Sequence, residues 1–538
     1  MRDTIAAIAT SAGVGGVGIV RVSGPLAVPI VARLLGVADA SLDRRVRVGW
    51  ARDASGAQLD QVLAFAMRGP HSFTGEDVAE LHGHGGAHNL GALLAAVLAG
   101  GARVAEPGEF TRRAVESGKL DLARAEALLG VIHAGSERAW RLAQQNLGGA
   151  LGEAAAALET RALSVLAELE GAIDFPDEEL DTRGAPWVAS ELGALASATA
   201  SLASSFRHGR AVAQGITVAL VGAVNVGKSS LLNALVGSER ALVAPAPGTT
   251  RDWLEVPAVW SGVAVTVIDT AGLRETSDPV ERRGIELGSA RVAAADVVLV
   301  LDDGSGAPSS LAAQLATFGG RGIAVRSKSD LRVVATAGRS SPASAARGSS
   351  AASAHDRGAA GATAAAGAAG AAAVAAVASA LRSPSSADDR AAPMLDGRAA
   401  SGAAPALRAP MLDGRVAPMR DGRAAAVAPD GSAAAVVETS AITGAGLEEL
   451  RARVLAMAGV SESEGSEHGL VTTARQHALA AGAAERFAAA ASGWARKLAP
   501  ELVALELRAA AQALAELRGV EVGERVLDEV FARFCIGK

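Results

Sequence analysis

The stretch GAVNVGKSS, residues 222–230, directly follows the apolar run GITVALV. It fits the spacing G-x-x-x-x-G-K-[ST], and that spacing constrains the fold more than any other feature of the chain. Gly222 and Gly227 let the backbone curl so that successive N–H groups point at phosphate oxygens. The helix expected after them adds its positive N-terminal end. GITVALVG and VAVTVID, at 215–222 and 263–269, read as strands buried on both faces and separated by helical segments, the pattern of a parallel α/β sheet. Lys228 would reach the β- and γ-phosphates, and the Ser229 hydroxyl would take Mg²⁺. Val226 and Ser230 complete the loop.

The remaining parts of a nucleotide site follow in order. DTAG at 269–272 ends a strand: Asp269 would hold the magnesium shell and the Gly272 amide could sense the γ-phosphate, with Thr270 and Ala271 between them. Upstream, PGTTRD at 247–252 offers Thr249 and Thr250 on a loop able to close over the metal, with Thr250 as a second Mg²⁺ ligand. Downstream, SKSD at 327–330 ends the strand GIAVRS. Asp330 can accept from the N1 and N2 hydrogens of guanine, a donor pair that adenine does not present, and Lys328 would lie along the base. VVETSA ends in Ser440 and Ala441, followed by Ile442, and this backbone could contact guanine O6. Ordered this way the set predicts GTP rather than ATP, and it resembles the translation-factor-like GTPases. One position departs from that pattern. The guanine motif usually begins with Asn, and here it begins with Ser327, which loses an amide contact; guanine specificity is expected to survive through Asp330.

The flanks differ in texture from this core. A chain of 538 residues accommodates several domains of about 100–200 residues each. Residues 1–118 alternate short apolar runs with Gly/Pro punctuation, an α+β pattern. Residues 119–212 are helical, with Leu158, Ala162, Val165, Leu166, Leu169 and Ile173 on one face. The α/β domain spans 213–458, and helices return at 459–538, where Leu502, Leu505, Leu507, Leu514 and Leu517 are candidates for the buried side. Residues 335–433 are Ala/Gly/Ser/Pro/Arg-rich with an imperfect APMLDGR repeat, too poor in apolar surface to offset ordering entropy, and read as a disordered insertion.

Composition narrows the function classes. A net charge of −6 argues against a histone-like nucleic-acid binder, and a single cysteine, Cys535, cannot form an internal disulfide, which suits a reducing cytosol. The N-terminus carries Asp3 and lacks a long apolar core, and the long uncharged run at 358–381 is almost all Ala and Gly. Neither a secretory signal nor a membrane span is expected, and the location is read as cytoplasmic. Of 51 basic residues only five are lysines: Lys119, Lys228, Lys328, Lys497 and Lys538. Such a chain keeps lysine where a compact ammonium is needed and a planar guanidinium will not fit.

Outside the insertion, the chain resembles the MnmE (TrmE) tRNA-modification GTPases at several separated places. These are DTIAAIAT with GGVGIVRVSG, SFTGEDVAELHGHGG at 72–86, PGEFTRRAVESGKLDLARAEAL at 107–128, IDFPDEEL at 173–180, DTAGLRET at 269–276, and the final FCIGK. The resemblance implies a multidomain α/β protein: an N-terminal α+β domain that binds a tetrahydrofolate derivative (5-formyl or methylene) and forms a homodimer, a discontinuous helical domain, and an inserted P-loop GTPase domain of Ras-like parallel α/β type. It implies GTP, Mg²⁺ and K⁺ as cofactors. With a flavin-dependent MnmG (GidA)-type FAD protein as partner, such a GTPase adds an aminomethyl or carboxymethylaminomethyl group to C5 of the wobble uridine of certain tRNAs, the folate supplying the one-carbon unit.

Residue by residue, Arg21, Glu80 and Lys119 match folate-binding positions of the family, and a pterin does offer amide donors to a carboxylate while its glutamate tail offers carboxylates to cations. By the same resemblance, Asn225 with the stretch around Ala244, Pro245, Ala246, Pro247, Gly248 and Thr249 would hold K⁺, through Asn225, Ala244, Ala246 and Thr249. Glu281 matches a water-orienting acid. FCIGK would dock on the folate domain, with Lys538 touching the cofactor and Cys535 near the reacting carbon as a catalytic candidate. Four of the five lysines then lie in ligand motifs. His82, His84 and His88, in HGHGGAH without acidic or cysteine company, are expected to serve a Gly-rich turn rather than a metal. The competing reading is a regulatory or ribosome-assembly GTPase switch, which needs neither a folate-type domain nor FCIGK.

Overall fold

The computed structural model describes residues 3–174, 183–237, 254–269, 290–304, 308–331, 436–460, 469–520 and 522–537. The chain divides into two compact units, one of Met1–Gly215 with Gly459–Lys538 and one of Ile216–Ala458.

The first unit begins with a six-stranded sheet of β1 (Ile5–Ile8), β2 (Val17–Ser23), β3 (Arg47–Arg52), β4 (Gln58–Met67), β5 (Val78–His84) and β6 (Arg103–Val104). Their order is β3-β4-β5-β2-β1-β6, antiparallel except where β1 meets β6. Helices α1 (Ala27–Leu35) and α2 (Ala87–Ala99) contribute Ile30, Val31, Leu93 and Val97 to a core with Val20, Val22, Val62, Ala64 and Leu81 of the sheet. Period-two alternation does this: Val62, Ala64 and Ala66 are buried while Gln61 and Leu63 are exposed. The register sets Arg21 directly opposite Glu80. Helices α3 (Glu109–Glu116), α4 (Leu122–His133), α5 (Glu137–Gly148), α6 (Ala150–Asp174), α7 (Ala185–Ser204) and α8 (Phe206–Gln214) follow.

The second unit is a six-stranded sheet built from β7 (Ile216–Gly222), β8 (Leu254–Trp260), β9 (Val263–Asp269), β10 (Val297–Asp302), β11 (Gly322–Arg326) and β12 (Val437–Glu438). The order is β12-β11-β10-β7-β9-β8, and every pairing is parallel except the β8–β9 hairpin. Helices α9 (Lys228–Val236), α10 (Pro308–Thr317) and α11 (Leu447–Met457) belong to the same unit. β7 is central, so its run of small and branched residues is buried on both faces: Val218, Ala219 and Leu220 are fully inaccessible.

The chain then returns to the first unit with α12 (Ala474–Ala495), α13 (Pro500–Arg518) and α14 (Glu524–Phe531). A capping box of Thr473 and Gln476 starts α12. Leu158, Ala162, Val165 and Leu169 of α6 form one core with Ala480 and Phe487 of α12 and Leu507, Leu514 and Leu517 of α13. Leu502 and Leu505 do not join it; they are 53% and 57% exposed, which corrects their assignment to the buried side. The stripe of α13 steps by four and three through Val503, Leu507, Ala510, Leu514 and Leu517, and a helix cannot carry Leu502 and Leu505 on that same line. Among the described residues, no helix is long and apolar enough to cross a membrane.

One half-buried ion pair locks the returning helices to the earlier ones. Glu126 of α4 accepts from Arg475 Nε at 2.9 Å and Nη2 at 2.7 Å, and from Gln476 Nε2 at 2.7 Å. Arg475 also donates to the Glu516 and Leu517 carbonyls at the end of α13, both at 3.1 Å. Removing one member of such a pair leaves the other with unmet hydrogen bonds in a half-buried place, which costs about 1–3 kcal/mol. Glu126→Ala is therefore expected to destabilise the first unit by that amount in chemical denaturation. A loss below about 1 kcal/mol, the ceiling for exposed pairs, would contradict the burial argument.

Candidate functional site

In the second unit the phosphate loop leaves β7 at Gly222 and enters α9 at Lys228. Gly227 sits at φ +102°, a conformation that glycine adopts without Cβ strain. Asn225 is also left-handed, at φ +65°, and so is Lys328 at φ +58°. Left-handed non-glycine residues cost on the order of 1–3 kcal/mol each and collect at functional sites. Here the two are bonded to one another, Lys328 Nζ donating to the Asn225 carbonyl at 2.9 Å and pairing with Asp303 at 3.2 Å.

Lys228 turns back into its own loop, its Nζ donating to the Gly222 carbonyl at 2.9 Å and the Ala223 carbonyl at 2.8 Å. Burial lowers its pKa from the ordinary lysine value, and the nearby Asp269 carboxylate only partly opposes that. The Ser229 hydroxyl donates to Asp269 Oδ2 at 2.8 Å. A hydroxyl and a buried carboxylate this close are hard oxygen donors, the set that Mg²⁺ prefers. Ser230 lies exposed on the first turn of α9.

The base-side loops converge on the same corner. Ser327 is buried, its hydroxyl donates to the Val226 carbonyl at 2.6 Å and its amide to the Asp302 carbonyl at 2.9 Å. Ser329 and Thr439 join this loop to the next through Ser329 N–H to Thr439 O at 3.1 Å. Ser440 is consumed in its own turn, donating from its amide to Ala445 O at 3.0 Å and accepting from the Thr443 amide at 3.2 Å on its hydroxyl. Ala441 and Asp330 are half-buried, and Ile442 is 86% exposed.

A second cluster lies in the first unit, on the sheet face opposite α1 and α2. Arg21 Nε donates to Glu80 Oε1 at 2.8 Å, and His82 Nε2 meets Glu80 Oε2 at 2.8 Å. The Arg21 guanidinium stands 5.8 Å from the Phe110 ring centroid and 6.0 Å from that of Phe73, within cation–π range. Residues 534–537 reach this cluster. Ile536 forms an antiparallel bridge with Pro107, Gly108 N–H approaches Cys535 O at 3.4 Å, and Arg21 Nη1 approaches Gly537 O at 3.5 Å. Gly537 is obligatory there: at φ +97°, a Cβ would lie 2.3 Å from Ile8 O. Phe534 anchors the segment in a small core with Leu122, Ala125, Val530 and Phe531, while Cys535 is a free, exposed thiol. Lys119 is exposed beside Gly75 and, among the described residues, makes no ion pair with Glu80.

Two of the three histidines, His82 and His84, have acidic company, which corrects that part of the expectation for HGHGGAH. His82 pairs with Glu80, and His84 Nδ1 with Asp60 Oδ1 at 2.7 Å. For His82 the signal was present in the spacing, because residues two apart on a strand share a face, whereas Asp60 comes to His84 from another strand. Glu281, Ala244, Pro245, Ala246, Pro247, Gly248, Thr249, Thr250, Thr270, Ala271, Gly272, Lys538 and the stretch 335–433 lie outside the described residues, as does most of IDFPDEEL.

Residues 4–119 match the family of the GTP-binding protein TrmE N-terminus, and residues 122–535 match the MnmE helical domain. The chain is similar to the tRNA modification GTPase MnmE of Symbiobacterium thermophilum, 36% identical over 552 residues with 100% of each chain covered. It is 36% identical to that of a Roseiflexus species over 542 residues, covering 100% of this chain and 99% of the other. To that of Phenylobacterium zucineum it is 46% identical over 305 residues, 57% of this chain and 68% of the other.

Burial pushes the Glu80 carboxyl up, but the hydrogen bonds from His82 and Arg21 outweigh it and hold the group below the ordinary glutamate value of 4.5. A carboxylate lowered on folding stabilises the fold fully above its unfolded pKa, and the contribution is lost as pH falls through the folded value. The stability difference between the wild type and Glu80→Gln should thus be constant from neutral pH down to about 5 and shrink below about 4.5. Denaturation curves at several pH values check this; a difference that grows on acidification contradicts it.

Proposed function

The chain belongs to the MnmE family of tRNA modification GTPases, and from that premise we propose that it is a GTP hydrolase acting in tRNA modification, with a folate site built from residues 1–118 and the FCIGK segment. The observation that carries this reading is the approach of Arg21 to the Gly537 carbonyl beside Glu80. A regulatory or ribosome-assembly switch would need no such convergence of a charged sheet face with a segment more than five hundred residues later.

In the GTPase unit, Asn225, Val226, Gly227, Lys228, Ser229 and Ser230 cradle the phosphates; Ser229, Asp269 and Thr250 serve Mg²⁺. When bound, Mg²⁺ and K⁺ neutralise charge that develops on the transferred phosphoryl group. Lys228 is already held in the loop by the Gly222 and Ala223 carbonyls, so phosphate oxygens need only replace those acceptors. Asn225 and the backbone around Ala244, Ala246 and Thr249 are assigned to K⁺, in place of an arginine finger. Glu281 is assigned to orienting the attacking water, Asp330 to the guanine N1/N2 edge, and Ala441 with Ile442 to its O6, since Ser440 is occupied within its turn.

In the folate site, Glu80 offers a buried carboxylate to amide donors and Arg21, Lys119 and Lys538 offer cations to carboxylates. The folate, when bound, supplies the one-carbon unit. Exposed Cys535 is assigned, by the same resemblance, to the neighbourhood of the reacting carbon or uridine. We assign a homodimer, an FAD-bearing MnmG-type partner and a cytoplasmic location on the same family basis. The product is an aminomethyl-type group at C5 of the wobble uridine.

Nucleoside analysis of tRNA from cells lacking this chain should show loss of the modified wobble uridine, restored by the wild type and not by Ser229→Ala. Unchanged tRNA would overturn the modification reading in favour of a switch. Replacing K⁺ by Na⁺ should slow GTP hydrolysis at least about tenfold, equivalent to roughly 1.4 kcal/mol of barrier. Asn225→Ala should erase that difference, and equal rates in the two salts would refute the potassium assignment.

A further inference from the structure

We propose that position 327 gives this site a guanine pocket in which N7 of the base goes unread, so that base selection rests on the Asp330 edge. The inference deepens the GTP reading and depends on it. It starts from donor counting. Ser327 has two protons to give, one on the hydroxyl and one on the amide. The hydroxyl bonds the Val226 carbonyl at 2.6 Å and the amide bonds the Asp302 carbonyl at 2.9 Å. Neither carbonyl has a proton to return, so the direction of both bonds is fixed. N7 of guanine is an acceptor only. A residue with both donors committed inside the protein has nothing left to offer it.

Burial makes the commitment durable. Ser327 is 5% exposed and Val226 is 3% exposed. Turning the hydroxyl toward a ligand would strand the Val226 carbonyl, a cost that a new bond to N7 would at best cancel. An asparagine carries two side-chain N–H groups and could serve the loop and the base together; a serine must choose.

Selectivity does not suffer from this choice. Adenine presents an acceptor at N7 as guanine does, so a donor at that edge adds affinity to both bases and separates neither. The discriminating atoms are the N1 and N2 hydrogens, which a carboxylate can accept and adenine lacks. The hydroxyl instead ties the base-side loop to the phosphate loop, alongside the Lys328 bond to the Asn225 carbonyl.

The test is competition binding on the full chain with GTP, 7-deaza-GTP (carbon in place of N7), ITP (no 2-amino group) and ATP. The wild type should bind GTP and 7-deaza-GTP within about twofold of each other, and ITP roughly tenfold more weakly. Ser327→Asn should create a preference for GTP over 7-deaza-GTP of about 3–10-fold, the range for one net hydrogen bond. Ser327→Ala should weaken all guanine nucleotides alike and leave the GTP to 7-deaza-GTP ratio unchanged. A wild type that binds 7-deaza-GTP at least about fivefold more weakly than GTP would overturn the proposal while leaving the GTP reading intact. ATP competing as well as GTP would instead overturn the guanine reading itself, and the two failures are read from different nucleotides.

Discussion

The larger unit depends on one packing event, the burial of α13 and α12 against α6 and α7 across an inserted stretch of chain from Ile216 to Ala458. Each of Leu507, Leu514 and Leu517 is fully inaccessible, and burying a leucine side chain contributes roughly 1.5–3 kcal/mol. These helices cannot hide their apolar stripes within either segment alone. Once they pair, Glu126 closes on Arg475 and α14 is carried back to α3, where Arg112 Nη1 reaches Asp528 at 2.7 Å. Only then can residues 534–537 lie along Pro107 and Ile8. The convergence at Arg21 is therefore a consequence of the helical core.

A second constraint works in the nucleotide unit. Left-handed Asn225 and Lys328 are strained, and they persist because Lys328 Nζ and the Ser327 hydroxyl hold successive carbonyls of the phosphate loop, Asn225 and Val226. Two loops about a hundred residues apart are thus positioned against each other by the residues expected to meet the base. The strain organises the site ahead of ligand binding, which reduces the ordering cost that binding itself must meet.

Much of this was legible in the sequence, for identifiable reasons. GAVNVGKSS could be placed because a two-sided apolar strand precedes it and its glycines have few other uses at that spacing. The meeting of Ser229 and Asp269 was readable because one opens the helix after β7 and the other ends the neighbouring strand β9. Other features depend on contacts between residues far apart in sequence. Ser327 was legible only as a missing amide, whereas its structural part is a bond to Val226 that no local pattern encodes. His82 sits in a Gly-rich run that reads as a turn, although its pairing with Glu80 follows from strand alternation. Leu502 and Leu505 were misplaced because closely spaced leucines satisfy more than one helical line, and only the packing partner selects among them. The Arg21–Glu80 pair entered through family resemblance; its approach to Gly537 spans 516 positions, a distance at which periodicity carries no information.

We propose that residues 534–537 and the Arg21–Glu80 face form one folate site that works without the phosphate loop. Equilibrium binding of 5-formyl-tetrahydrofolate to the full chain and to a chain ending at Arg533, with GTP hydrolysis followed in both, tests it most directly. The shortened chain should bind folate at least about tenfold more weakly, a loss of roughly 1.4 kcal/mol, while its GTP turnover stays within about twofold of the full chain. A shortened chain that binds the folate as tightly as the full one would contradict it.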